Sequence, residues 1–486
     1  MILGQADLAG GLSAAVNDAS WSVTLYNVGQ IAGLPMTMTA AAAFGRGRTM
    51  ALAGAGFALS SAAIALSPGL GVFLAARLLQ GFFGGALPVL FMVMIMTSLP
   101  PGRSQAGGLS LFAIATSVGA GFAAGLSFLL LEAGGWRGLF WCQVAVGGLY
   151  AVLAARALPH ERGDAIHLRQ KDWPSYVFLS VGLGLLVVFL SEGERRYWFD
   201  TWWIAAALAC GAAATALGVR ALAQASRPLL KLSLLRRPSF LGALLLQALF
   251  RAGSLLTLST IPQALIRLEA YGLEQIAGLL IPMATAAAAG ALASHLLCGR
   301  GHSRAALAAG LFACAIAAGL CTGVSSSWAG ENYRIAIVIA GLGQGLFSVA
   351  VMRFAVHGLA REDGPTCAVL FNFARLFGLV GGVALLARLT TFREALHAIR
   401  LAESLSPLAP ERRAEIAAQL APSLSPQVAG RVALGRLSAA LTNQAYALTF
   451  ADLFLVLAVL MTAAGLLVCL LPPLPRPSVA YISVSR

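Results

Sequence analysis

Long apolar segments separated by short polar loops form the pattern of this chain from residue 21 onward. Residues 1–20 are too polar and too rich in glycine to cross a bilayer. Because about twenty apolar residues in an α-helix span the hydrocarbon core, each long segment is predicted to be a transmembrane helix. Thirteen are predicted, over residues 21–44, 50–66, 72–99, 105–131, 137–158, 174–191, 201–222, 239–266, 274–298, 304–324, 334–357, 365–388 and 449–471.

Composition places the chain among membrane proteins, with 59% hydrophobic residues, 11% charged residues and a mean hydropathy of +0.82. The formal charge of +14 does not indicate a nucleic-acid partner, because the basic residues lie in short loops and form no continuous surface. The seven cysteines show neither a Cys-x-x-Cys pair nor histidines at ligand spacing, so no metal is expected. No Walker lysine motif is present, and we expect neither an enzyme nor a cofactor.

One predicted helix carries a charge and an amide within its apolar run. Arg77 and Gln80 are three residues apart and share one helical face. An arginine inside the bilayer costs about 3 kcal/mol on insertion scales, so it usually faces a bundle interior or a water-filled path. The alternative is an arginine that snorkels to the near interface. Gly81, Gly84 and Gly85 follow, and they predict the close approach of another helix.

Further basic residues lie inside later spans. Arg251 and Arg375 are near the middle of theirs, and Asn372 shares a face with Arg375. No carboxylate lies at comparable depth, so a central path lined by these groups should prefer anions. The predicted path residues are Arg77, Gln80, Arg251, Asn372 and Arg375. The nearest acids sit at span ends on the predicted outer side: Asp18, Glu192, Glu269, Glu274 and Asp452.

A short internal repeat relates the two halves of the chain. The loop Gly45-Arg46-Gly47-Arg48 recurs as Gly299-Arg300-Gly301-His302, each time after an apolar span. Two helix bundles related along the membrane normal, with a substrate path between them, are typical of secondary transporters. The predicted conformational-switch residues are Gly45, Arg46, Arg48, Gly299 and Arg300.

The Lys/Arg bias of the short loops places the carboxyl terminus in the cytoplasm and the amino terminus outside. Residues 389–448 are the one long polar interruption, and two stretches in it have helical periodicity. They predict a periplasmic helical hairpin, the alternative being a loop too long to order. The predicted organisation is a periplasmic segment 1–20, a five-span bundle 21–158, two linking spans within 159–238, a six-span bundle 239–471 that includes the hairpin, and a cytoplasmic tail 472–486.

Motifs along nearly the whole chain resemble the fourteen-span multidrug-efflux branch of the major facilitator superfamily, also called drug:proton antiporters. The resemblance implies an all-α major facilitator fold with about thirteen spans here, two of them extra linking spans. It is carried by Asp172-Trp173, Gly182, Gly184, Leu185, Gly193, Trp198-Phe199-Asp200, Arg77-Leu-Leu-Gln80-Gly81, residues 107–140, Gln444-Ala445 and Asp452-Leu453-Phe454.

Three departures from the family pattern stand out. Ala42 and Ala43 occupy the positions of an Asp-Arg pair in the first loop motif. The fifth-helix packing motif keeps Gly121 and Gly125 but lacks its proline and final glycine. Both departures weaken the expectation of proton antiport. The family's first helix has no counterpart in this sequence, for which a start codon assigned too far downstream is the favoured explanation and a true truncation the other.

The function predicted from these observations is an inner-membrane exporter of small organic molecules, drugs or organic acids, coupled to an ion. Family members from Gram-negative bacteria imply a periplasmic adaptor and an outer-membrane channel as partners, with the hairpin as a contact. Two alternatives stay open at this point. One is a transport-incompetent relative that serves as a membrane sensor or scaffold, and the other is an uptake permease of the same fold.

Overall fold

The computed structural model describes residues 5–100, 103–158, 161, 163–169, 172–255, 259–405, 409–420 and 425–470. The predicted tail 472–486 lies outside these residues. All regular structure in the described part is helical. The helices are α1 Gln5–Gly11, α2 Val16–Ala19, α3 Trp21–Phe44, α4 Arg46–Ala65, α5 Leu70–Ser98, α6 Arg103–Ala157, α7 Ile166–Arg169, α8 Trp173–Glu192, α9 Trp202–Gln224, α10 Pro238–Gly253, α11 Ile261–Glu269, α12 Leu273–Gly299, α13 Ser303–Leu320, α14 Gly330–Val356, α15 Gly364–Leu405, α16 Ala409–Leu420 and α17 Pro426–Leu470.

Each predicted span coincides with helix in the residues that the structure describes. Within the described residues, ten helical segments are long and apolar enough to cross a membrane. The other predicted spans are α3, the first part of α6, and residues 239–266. The last contains α10, which ends at Gly253, and α11, which begins at Ile261, and residues 256–258 between them lie outside the described residues. Pro262 lies in the first turn of α11, where its missing N–H costs least.

The long helix α6 contains two predicted spans. Gly134 and Gly135 leave helical geometry between them, and Gly135 has a φ of +58°. That left-handed conformation favours glycine and lets the chain reverse with almost no loop. The kink therefore separates the fourth and fifth spans, as the sequence predicts. Gly121 and Gly125 lie within this helix, but their surroundings are outside what the structure describes.

The two bundles share one packing device, a glycine seam between helices. In the N-terminal bundle (α3 to α6), a Cβ added to Gly81 of α5 would lie 2.0 Å from the carbonyl oxygen of Tyr26 on α3. In the C-terminal bundle (α10 to α15 with α17), a Cβ on Gly345 of α14 would lie 2.1 Å from the carbonyl oxygen of Ala287 on α12. No side chain fits at either point, so the backbones touch directly. The sequence prediction of close helix approach at Gly81 is confirmed.

The segment predicted as a hairpin is helical in its described part. Its first helix is not separate, because α15 continues without a break from the span to Leu405. Arg393 and His397 of this extension both contact Asp452 of α17, the Arg393 Nε at 2.7 Å and the His397 Nε2 at 2.6 Å from Asp452 Oδ2. The charged contact fixes the extension to α17 at the point where both helices leave the apolar region. The helix α16 then packs against α17.

Candidate functional site

The bundles contact each other at the end of the molecule that carries Gly45, which we call the Gly45 end. Ser110 of α6 lies 2.9 Å by its Oγ from the Nδ1 of His295 on α12, and 3.4 Å from a terminal nitrogen of Arg353 on α14. Met96 of α5 packs against Gly364 at the start of α15, where a Cβ added to the glycine would lie 3.3 Å from the methionine Cε. The apolar residues of α5 and of the C-terminal bundle belong to one buried cluster there. The interface is therefore closed at this end.

The opposite end carries Glu192, and we call it the Glu192 end. A cavity of about 320 Å³ lies there between α3, the end of α8, the start of α11, α15 and α17. Hydroxyl and amide groups line one part of it, and aliphatic side chains with Phe450 line the rest. Arg195 is its one charged residue, and no carboxylate is among the described residues that line it. The polar lining residues are Ser20, Thr24, Asn27, Ser191, Ser259, Thr260, Gln263, Thr390 and Thr391.

Arg77 of the N-terminal bundle has partners for its charge on three sides. Its Nε donates to the carbonyl oxygen of Ser22 at 3.1 Å, and another guanidinium nitrogen donates to Gln80 Oε1. The guanidinium lies 4.5 Å from the centre of the Tyr26 ring. Gln80 in turn donates to Ser61 and Gln143, at 2.6 and 2.7 Å. Arg77 is 5% exposed and Gln80 is fully buried. The predicted pair on one face is confirmed, whereas snorkelling to the interface is not what the structure shows.

Arg251 and Arg375 of the C-terminal bundle lie in a different environment. The two guanidinium groups are close enough for their positive charges to repel each other. Arg375 also interacts electrostatically with Tyr26 across the interface. The Arg251 Nε is buried and has no hydrogen-bond partner among the described residues. Neither arginine forms an ion pair with a described carboxylate. Asn372 does not serve them, because its amide donates to the carbonyl oxygen of Ala368 in its own helix at 2.8 Å.

None of the five predicted path residues lines the cavity itself. The arginine cluster lies deeper, and α15 connects the two levels. Arg375 is one turn before Leu379 on the same face, and Leu379 lines the cavity. On α3, Tyr26 contacts Arg77 and precedes the cavity residue Asn27. The structure thus brings Arg77, Arg251 and Arg375 toward one region below the cavity, and their role in a path stays a prediction.

The first switch loop is tied to the link that follows the N-terminal bundle. Gly45 has a φ of +84°, and a Cβ on it would lie 2.4 Å from the carbonyl oxygen of Glu161. Both facts require glycine. Arg46 forms an ion pair with the Glu161 carboxylate, and these hydrogen bonds hold the pKa of Glu161 below its ordinary value. Thr97 also accepts from Arg46. Arg48 is exposed.

The second loop differs from the first in geometry. Its left-handed glycine is Gly301, with a φ of +86°, and Gly299 is the last residue of α12. The structural match therefore pairs Gly45 with Gly301, two residues away from the letter-by-letter alignment of the sequence. Arg300 is exposed and its side chain makes no hydrogen bond or ion pair with a described residue. The two loops thus share one backbone feature and differ in the contacts of their arginines.

Sequence reasoning missed the cavity lining and the burial of Glu192. The polar residues of α3, from Ser20 to Asn27, recur about every fourth position, and this spacing could have indicated a polar face. Glu192 stands at a span end, where an exposed side chain is the normal expectation, so the sequence gives no sign that it is buried. Arg195 lies in a loop, and only the fold brings it to the cavity.

The architecture thus consists of two helix bundles and a pair of linking helices. The bundles contact each other at one end and leave a cavity between them at the other. The Major Facilitator Superfamily profile matches residues 1–383. The chain belongs to the major facilitator superfamily. It is therefore a multi-pass membrane protein of a transporter family, which confirms the resemblance and the fold class.

Individual proteins that are similar to this chain support the family assignment. The multidrug resistance protein Stp of Mycobacterium tuberculosis is 27% identical over 375 residues, which are 75% of this chain and 67% of Stp. The uncharacterized transporter YebQ of Escherichia coli is 30% identical over 68% of this chain and 72% of YebQ. Among solved structures, the human organic anion transporter MFSD10 (TETRAN) has a TM-score of 0.55 at 17% identity, covering 94% of this chain and 88% of that one. At that identity the last match shows the fold alone.

Proposed function

We propose that the protein is a secondary transporter of a bacterial inner membrane that exports amphipathic organic anions. The observation that carries this proposal is the arginine pair Arg251 and Arg375, partly buried between helices, with the Arg251 Nε fully buried and without a carboxylate partner among the described residues. Positive charge that is poorly solvated attracts an anion and repels a cationic drug, because the repulsion is weakly screened at low dielectric. The relatives named for drug resistance support export as the direction.

The cavity supports the amphipathic part of the proposal. Its aliphatic wall on α15 and Phe450 would contact an apolar body, and its hydroxyls and Arg195 would contact a carboxylate or sulfonate. The arginine pair lies about one turn deeper along α15. An anion moving through the interface would thus meet Arg375 and Arg195 at successive levels.

The closed Gly45 end and the cavity at the Glu192 end support an alternating-access mechanism in which the bundles rock about their interface. With the Gly45 end in the cytoplasm, as the basic loops indicate, this arrangement faces outward. The contacts of Ser110 with His295 and Arg353 would open when the cavity closes. Gly45, Arg46 and Arg48 of the first loop and Gly299 and Arg300 of the second would adjust at the same end.

The helical extension formed by the end of α15, α16 and the start of α17 would then lie in the periplasm. Phe392, Ile399 and Leu434 are exposed on it, more than half of each side chain being accessible. Such a surface, beyond the apolar spans, suits contact with a periplasmic adaptor that leads to an outer-membrane channel. A cysteine at Ser404 that reacts with a membrane-impermeant maleimide in cells with a permeable outer membrane would support this side, whereas labelling only after lysis would contradict it.

Transport in proteoliposomes tests the proposed function. We expect exchange of aromatic carboxylic acids across the membrane and no exchange of ethidium-like cations. Arg375→Gln should lower anion exchange at least tenfold, because it removes the charge and keeps a polar side chain. Arg334→Gln is the matched control, since Arg334 is exposed at a span end and pairs with Glu331. Exchange of cations but not of acids, or unchanged exchange in Arg375→Gln, would overturn the proposal.

A further inference from the structure

A cluster of basic side chains without an acidic partner lies at the Gly45 end, where the bundles meet. Arg353 of α14 and His295 of α12 both contact Ser110 of α6, which is buried. The Arg353 Nε is buried as well and has no hydrogen-bond partner among the described residues. No described carboxylate forms an ion pair with either basic side chain. The C-terminal bundle thus supplies two basic groups here, and the N-terminal bundle supplies the hydroxyl that they contact.

The donors and acceptors of this cluster follow from the chemistry of its side chains. A guanidinium can only donate, so Arg353 donates to the Ser110 Oγ at 3.4 Å and to the His295 Nδ1 at 3.3 Å. The Nδ1 therefore accepts, and the Ser110 hydroxyl donates to it at 2.9 Å. Both hydrogen bonds of Arg353 are longer than the distance of about 2.8 Å between a guanidinium and a carboxylate. Ser110 is thus a weak partner for Arg353, and an anion would be a stronger one.

An apolar layer lies next to the cluster on the same three helices. Each of α6, α12 and α14 carries an apolar residue about one turn further from the Gly45 end than its polar residue. These residues form one buried cluster between the bundles: Ala113, Ala291 and Val349. Arg353 and His295, in contrast, are only half-buried. A solute at the Gly45 end can therefore reach the basic groups while the apolar layer still closes the interface.

We propose that Arg353 and His295 form a capture site for the exported anion at the cytoplasmic face, an inference that rests on the proposed function. The acidic group of the anion takes the place of the Ser110 hydroxyl on Arg353. Because the anion and Ser110 compete for one guanidinium, the anion binds more tightly when the bundles are apart at this end. Its binding therefore favours separation of the apolar layer, after which the anion moves on toward Arg375.

Exchange kinetics measured from each face of the membrane test the capture site. With the Gly45 end in the cytoplasm, inverted vesicles present this end to the medium and right-side-out vesicles present the Glu192 end. The probe is radiolabelled naphthalenesulfonate, which stays ionised and does not cross lipid unaided. Arg353→Gln should raise the KM from the Gly45 face about tenfold or more, because a charge-assisted hydrogen bond is lost. The KM from the Glu192 face should stay within about threefold of wild type. Arg361→Gln is the control and should change neither KM, since Arg361 is exposed at the same end and donates to a backbone carbonyl.

Variants at Ser110 separate capture from a structural contact and keep Arg353 in place. Ser110→Ala removes the hydroxyl that competes with the anion, so it should lower the KM from the Gly45 face about twofold. Ser110→Asp supplies Arg353 with an internal carboxylate and should raise the same KM about tenfold, as Arg353→Gln does. Ser110→Asn, of similar size but uncharged, is the matched control and should raise it less than about threefold.

The outcomes distinguish the capture site from the proposed function. A wild-type KM from the Gly45 face in Arg353→Gln or in Ser110→Asp would overturn the capture site. An equal rise of the KM at both faces in Arg353→Gln would overturn it too, because the site serves one face. Absence of saturable exchange by wild type would instead overturn the proposed function.

Discussion

The two bundles surround their arginines in opposite ways. Arg77 in the N-terminal bundle has a carbonyl oxygen, an amide oxygen and an aromatic ring as partners. Arg251 in the C-terminal bundle has a buried Nε without a described partner, and its charged neighbour is another arginine, Arg375. Neighbouring groups offset the desolvation cost of the first charge but not of the second. The difference teaches that depth alone does not distinguish a structural arginine from one available to a ligand.

The largest expected effect separates transport from stability at Arg375. Arg375→Leu removes one of two mutually repelling charges, so we expect anion transport to fall about 100-fold, or about 2.7 kcal/mol. The unfolding temperature in detergent should be unchanged or higher, because an apolar side chain replaces an uncompensated charge. Transport assays and thermal unfolding of one preparation check both. A large loss of stability in Arg375→Leu would show that this arginine is structural like Arg77.

The reverse result is expected at Arg77. Arg77→Leu leaves Gln80 Oε1 without its donor and removes the contact with the Tyr26 ring, which together should cost about 3 kcal/mol of stability. Thermal unfolding by intrinsic fluorescence measures this, with Arg334→Leu as an exposed control. An unfolding temperature equal to that of wild type would remove the distinction between the two arginine environments.

The bundles differ in the surroundings of their arginines, and the glycine seams test whether they are alike in helix packing. Gly81→Ala and Gly345→Ala each place a Cβ about 2 Å from a carbonyl oxygen, so helix separation should cost each bundle about 1–3 kcal/mol. Gly278→Ala in α12 is the control, since nothing lies within 4 Å of its added Cβ. It should be neutral or slightly stabilising. A marked difference between Gly81→Ala and Gly345→Ala would contradict the packing similarity.

The smallest effect concerns the loop contact that only the N-terminal bundle has. Because Arg46 lowers the pKa of Glu161 from 4.5, the ion pair contributes stability above that pH and loses it as pH falls through the lowered value. Both side chains are about a third exposed, so the contribution should be under about 1 kcal/mol. Thermal unfolding from pH 7 to pH 3.5 should show a steeper fall for wild type than for Glu161→Gln. Equal slopes would show that the contact adds nothing.

Much of this architecture could be predicted from local pattern. Span positions follow from hydrophobic length, and the pairing of Arg77 with Gln80 follows from helical spacing. The start of α11 at Ile261 has a local signal in Pro262, which a hydrophobic count overlooks. The burial of Glu192 has none, because it results from α8 packing on α3, two elements far apart in the chain.

The parts of the site that could not be predicted are thus those formed by contacts between residues far apart in the chain. The cavity is formed by five helices whose polar residues lie up to several hundred positions apart, and no periodicity within one helix shows which of them meet. The pairing of Gly45 with Gly301 depends on backbone conformation, which the similar letters of the two loops hide.

The unbroken course of α15 has a mechanical consequence. Its 42 residues form one rod of about 63 Å, seated against Met96 at one end and projecting beyond the spans at the other. For a rod of that length, a tilt of about ten degrees at the seat displaces the far tip by about 11 Å. The helix therefore amplifies each small rotation of its bundle, so a protein bound at the tip would be displaced in every transport cycle.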